Sequence, residues 1–151
     1  VHAGFNLLFS KFMDIYENIK KTTMKYIQYL LMLIVSSVVL NVWFFRFNKA
    51  TLYRGGGASN MVEEFAVYGL NETMVYLVGG LKILAALGLL LGFITQKTIR
   101  PSAGVMALLM AGAIGMHFKV SDPAIAYLPA ALMLLSSLLI LFLDKKTAAS
   151  K

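Results

Sequence analysis

The residues whose types could do chemistry in this chain are Asn41, Arg46, Lys49, Lys82, His117, Lys119 and Asp122. Lysine and arginine bind anions, an imidazole accepts or gives a proton near neutrality, and Asn and Asp fix hydrogen bonds. Such a set suits a pocket for a polar or anionic group. It does not spell out a reaction: no Ser-His-Asp arrangement can be argued, so the catalytic residues are unknown. Lys82 stands out, because it lies inside the apolar run from Glu72 to Phe93, which is long enough to cross a bilayer as a helix. Ten residues into that helix it sits about 15 Å deep, near the middle of a hydrocarbon core about 30 Å thick. A lysine there costs on the order of 3 kcal/mol. The sequence leaves several ways to offset that cost: a neutral amine; an acid from the rim (Glu63, Glu64 or Asp122); a water pocket or anionic head group; or a side chain stretched along the helix toward the surface. For His117 the alternatives are a pocket ligand or an imidazole at a helix end bonded to a loop.

The chain holds two histidines and no cysteine, which excludes disulfides, thiolate metal sites and CxxC redox chemistry. No metal site is expected, and a haem with axial ligands on facing helices has only His117 in place. The methionines are scattered and read as packing. Arg54 and the run Gly55-Gly56-Gly57 form a loop, but without the Lys-Ser/Thr of a P-loop.

The elements that position these residues are membrane spans. Of the 151 residues 59% are hydrophobic and 14% charged, against about 25% charged in a soluble domain. The expected fold is all-α, a four-helix transmembrane bundle with a short N-terminal amphipathic helix. Residues 1–26 form that helix, with Phe5, Leu8, Phe9, Phe12, Tyr16 and Ile19 at helical spacing, and it would lie on the membrane. A partly ordered tail is the alternative. Val1 is not a natural start and Met24 is, so residues 1–23 read as an extension; they do not read as a cleaved signal peptide. The bundle domain is 27–146, and 147–151 is a loose tail.

The spans are expected at about 27–46, from Glu72 to about Ile94, at about 101–118 and at about 124–143. Between the first two, Ser59 or Asn60 would cap a short helix over about 60–68, and Asn71 would cap the second span. Pro101 opens the third span, Asp or Ser of the turn 120–123 caps the fourth, and Pro129 should bend it. Small residues at four-residue spacing, Ala103, Ala107, Ala111 and Gly115 in the third span and Gly88 and Gly92 in the second, should face other helices.

Basic residues set the orientation. Lys11, Lys20, Lys21, Lys25, Lys97, Arg100, Lys145, Lys146 and Lys151 share one side; Arg46, Lys49, Arg54 and Lys119 share the other. Both termini should then be cytoplasmic and the polar set should face outward. The net charge of +7 belongs to these flanks and not to one basic face, so nucleic acid is excluded as a partner. The partner is the bilayer, with a membrane subunit or a second copy as further candidates.

The block VGGLKILAALGLLLGFIT, a basic link with Pro101, and then His117-Phe118-Lys119-Val120-Ser121-Asp122-Pro123 with Leu128-Pro129-Ala130 resembles the DoxX-like family of small four-helix membrane proteins, over about 40–143. The resemblance implies an inner-membrane, plasma-membrane protein. Its better-known branches include a subunit linked to thiosulfate–quinone oxidation and relatives acting in cargo export or receptor assembly. No cofactor is expected from the residues themselves; the resemblance adds quinone as a candidate. The leading expectation is an accessory protein, not an enzyme, whose outward polar pocket binds a lipid- or quinone-like molecule or a partner subunit. The alternatives are a membrane subunit of a quinone-linked oxidoreductase and a membrane chaperone or interaction module.

Overall fold

A computed structural model describes residues 2–148, with side chains described for 4–147. The described residues are helical and loop, with four helices long and apolar enough to cross a membrane. They are α1 (His2–Phe45), α3 (Glu72–Leu91), α4 (Ile99–Lys119) and α5 (Ala124–Ala148); α2 (Met61–Val67) is a short helix in the connection after α1.

Each span packs against two others. α1 and α4 lie on opposite sides, each touching α3 and α5. The core between them is Met32, Val35 and Val39 of α1, Val75, Ala86 and Leu89 of α3, Ala103 and Met106 of α4, and Met133 and Ile140 of α5. Ser36 donates to the Ala86 carbonyl across α1 and α3 at 2.9 Å, which gives a buried hydroxyl its partner. At the end that carries both termini, Asp144 accepts from Gln28 (3.3 Å) and pairs with Arg100 (3.1 Å), tying α1, α4 and α5 together.

The local signals explain the ends. Asn60 accepts from the Glu63 amide at 2.9 Å and Asn71 from the Met74 amide at 3.1 Å, so each caps the helix it precedes. α2 stops at Gly69, whose φ of +78° suits glycine; Leu70 N–H then bonds back to the Phe65 carbonyl at 2.9 Å, a Schellman closure.

Several expectations need correction. The N-terminal segment is helical but is not a separate helix: α1 runs from His2 to Phe45 without a break. No Gly or Pro occurs between Gly4 and Gly55, so nothing in the sequence stops a helix there. At 1.5 Å per residue α1 is about 66 Å long, twice what a bilayer needs. α5, by contrast, holds Pro129 inside its first two turns, as expected. Asp122 does not cap α5; its oxygens go to His117 and Gly56.

The row of small residues on α4 divides. Ala103 and Ala107 are buried, whereas Ala111 and Gly115 are exposed on the bundle surface. A four-residue step turns a helix 40° past a full circle, so three steps carry the row about 120° round. The packed face is Ala103, Met106, Met110 and His117, at mixed three- and four-residue spacing. Ala103→Leu is expected to cost about 1–3 kcal/mol of stability in detergent, and Ala111→Leu no more than about 0.5 kcal/mol; thermal denaturation followed by circular dichroism compares the two. Gly88 of α3 and Gly92, just past its end, both sit at contacts. A Cβ on Gly88 would lie 2.1 Å from Ser102 Oγ of α4, and one on Gly92 would lie 2.6 Å from Ile99 and 2.8 Å from Met32.

Candidate functional site

At the end of the bundle away from the termini, the connection 46–71 folds over the spans and is held there by buried polar contacts. α2 explains how. Met61, Glu64, Phe65 and Tyr68 share one face at three- and four-residue spacing, and all four are buried. That face carries an acid and a phenol into the bundle. Glu64 meets Arg54 there, Oε2 to Nη1 at 2.7 Å. The rest of the Arg54 guanidinium donates to backbone carbonyls: Lys49 at 2.9 Å, Arg46 at 2.6 Å and Phe47 at 3.0 Å. Glu64 Oε1 accepts from the Gly55 amide at 2.8 Å and from the Tyr68 hydroxyl at 3.1 Å. The pair is buried and its charges are satisfied on every side.

The three glycines make this possible. Gly55 lies so close to Tyr68 that a Cβ would be 2.1 Å from the phenol oxygen, and Gly56 has φ +61°. Their amides point at two carboxylates, Gly55 at Glu64 and Gly56 at Asp122, the latter at 2.7 Å. The triple glycine is a donor loop for the protein's own acids.

From Tyr68 the contacts continue to α4. The Tyr68 hydroxyl lies 3.1 Å from His117 Nδ1, which lies 2.7 Å from Asp122 Oδ2. A carboxylate only accepts, so Nδ1 carries the proton and donates it to Asp122. The phenol proton goes to Glu64. Burial, with the Glu64 charge beside it, pushes the Tyr68 phenol far above its usual range, so it remains a donor at physiological pH. Nε2 of His117 makes no hydrogen bond among the described residues, yet no buried side-chain nitrogen or oxygen there is without a partner. The ring is 5% exposed and lines a cavity. Nε2 therefore opens into that cavity, and in the neutral ring it offers a lone pair.

The cavity measures about 470 Å³, within the range of small-molecule sites. Its walls are mainly apolar, from Val39, Val42 and Trp43 of α1, Met74 and Val78 of α3, Met110, Ala113 and Met116 of α4, and Ala130 and Met133 of α5. Arg54, Glu64 and Tyr68 form its roof. Lys82 enters from α3, partly buried, with Nζ 6.0 Å from the centre of the Trp43 ring. Trp43 in turn lies against Gly79, where a Cβ would be 2.2 Å from the indole, so the ring fills the space one turn before Lys82. The acid in the cavity wall is Glu64, but its oxygens are taken by Arg54, Gly55 and Tyr68. Lys82 lines the cavity and makes no hydrogen bond or ion pair among the described residues.

Of the residues singled out in the sequence, Asn41, Arg46, Lys82 and His117 line the cavity, Asn41 and Arg46 as exposed residues at its edge. The others do not. Lys49 contributes its carbonyl to Arg54, Lys119 donates to the Tyr68 carbonyl at 2.7 Å at the end of α2, and Asp122 orients His117 from behind. Sequence reasoning missed Arg54 and Tyr68 as site residues and named Glu64 only as one of several acids. The signal for the last two was an acid and a tyrosine at core positions of α2.

No group of three or more His, Cys, Asp or Glu that could hold a metal ion occurs among the described residues. The sequence pattern of the DoxX-like family matches residues 35–139, well over half of the chain and every residue that lines the cavity. The chain belongs to the DoxX-like family. It is an integral membrane protein, as its four apolar helices require. No curated protein and no solved structure matches it.

Proposed function

We propose that this DoxX-like protein is an accessory membrane protein whose cavity binds an amphiphile of lipid or quinone type. The observation that carries the proposal is the wall chemistry: a largely apolar chamber lined by Lys82 and His117, whose Nζ and Nε2 make no hydrogen bond among the described residues. Ligand sites have this character, an apolar body with a few polar groups that orient the guest. Val38 of α1 and Leu108 of α4 are exposed on the flank of the bundle and also belong to the cavity wall, so a guest can reach it from the bilayer. The residues fit a quinone head group, since Lys82 and His117 can both bond to its oxygens.

In this reading both termini are cytoplasmic and the cavity faces outward, which the distribution of basic residues supports. A phosphatase fused after Lys151 is expected to be inactive and a cytoplasmic reporter active there; the reverse pattern overturns the orientation. Binding itself is tested by native mass spectrometry of protein released from its own membranes. A stoichiometric small-molecule adduct, absent when Ala113→Phe fills the cavity, is expected. Bare protein, or an adduct that Ala113→Phe leaves unchanged, contradicts the proposal.

A further inference from the structure

We infer that the guest is an anion: an amphiphile with one negatively charged group, held by Lys82, on an apolar body. This rests on the cavity being a binding site and adds the charge of what binds. The reason is the charge balance of the wall. Arg54 and Glu64 neutralise each other in the roof at 2.7 Å. His117 is backed by Asp122, which stands behind the ring and outside the lining. That leaves Lys82 as a base with no acid partner among the described residues, one that an anionic guest would hold protonated, and Arg46, exposed at the edge, adds a positive group. A charge inside a bundle is costly unless something of opposite sign or water meets it. With Glu64 already engaged on both oxygens, the wall has no free acid to do so. A guest with a carboxylate, a phosphate or an ionised phenol would supply the missing charge at Nζ, with His117 Nε2 available to a neighbouring hydroxyl.

The shared chemistry, one anionic oxygen group, could come from a free amphiphile or from a resident phospholipid. Trp43, the chain's one tryptophan, forms part of the cavity wall beside Lys82 and reports on both. Purified protein in neutral detergent is titrated with two pairs of chain-brominated quenchers. One pair is a fatty acid and its methyl ester; the other is phosphatidylglycerol and phosphatidylcholine. The anionic member of at least one pair is expected to quench Trp43 at concentrations at least tenfold lower than its neutral partner. Which pair shows the preference identifies the source. The preference should persist in Lys82→Arg and shrink to within twofold in Lys82→Met. Equal quenching within both pairs, or a preference that survives Lys82→Met, overturns the inference. If no quencher reaches Trp43 in the wild-type protein, the binding reading fails together with it.

Discussion

Glu64→Ala is expected to lower the unfolding free energy by about 3–5 kcal/mol, the usual consequence of removing one member of a buried ion pair. Arg54 would remain in a closed roof with its charge intact and only the carbonyls of Arg46, Phe47 and Lys49 and the weakly accepting Met61 sulfur to meet it. The Gly55 amide and the Tyr68 hydroxyl would lose their acceptor as well. Each buried donor left without a partner adds on the order of 1–3 kcal/mol, and these contributions overlap instead of summing. The double variant Arg54→Leu with Glu64→Leu removes both charges and should lose less than the single change, because no ion is stranded. Denaturant unfolding in detergent, followed by Trp43 fluorescence, measures both. A loss below about 1 kcal/mol for Glu64→Ala would mean that water reaches the roof and that the pair does not hold the connection down.

Lys82→Met is expected to act in the opposite direction. Its ammonium makes no ion pair among the described residues, so replacing it strands no partner. The change removes a charge whose placement in a membrane interior costs up to about 3 kcal/mol, and methionine keeps similar length and packs readily. Unfolding free energy in detergent should be unchanged or higher, by as much as that amount where water does not reach Nζ. A fall of more than about 2 kcal/mol would show that Lys82 balances an acid of the protein itself. The two substitutions separate the buried charge that maintains the roof from the buried charge left available to a guest.

Much of this was legible in the sequence. Run length and the charge flanks located the spans, because lipid demands continuous apolar helices. Asn60 and Asn71 announced their caps, since their side chains do the same work wherever a helix begins. Lys82 declared itself by depth. The roof was harder to read. Arg54 sits beside three glycines in what looks like an unstructured loop, and its role emerges only when α2 turns Glu64 toward it. His117 and Asp122 are five residues apart across a helix end, a spacing that specifies no contact until Ser121, with φ +56°, turns the chain back. The α4 row misled for a geometric reason: spacing of four describes a short contact, and over three turns it leaves the interface, as Ala111 and Gly115 do. The continuity of α1 was visible in the missing Gly and Pro, but amphipathic spacing in residues 1–26 suggested a separate element.

The most direct test of the central claim is a structure of the protein extracted with its own lipids, solved at a resolution that shows side chains. An elongated guest is expected in the chamber between α1, α3, α4 and α5, its polar end within hydrogen-bond reach of Lys82 Nζ and its body against Trp43, Met110 and Met133. A chamber occupied only by water, or closed by Lys82 bonding to Glu64, would contradict it.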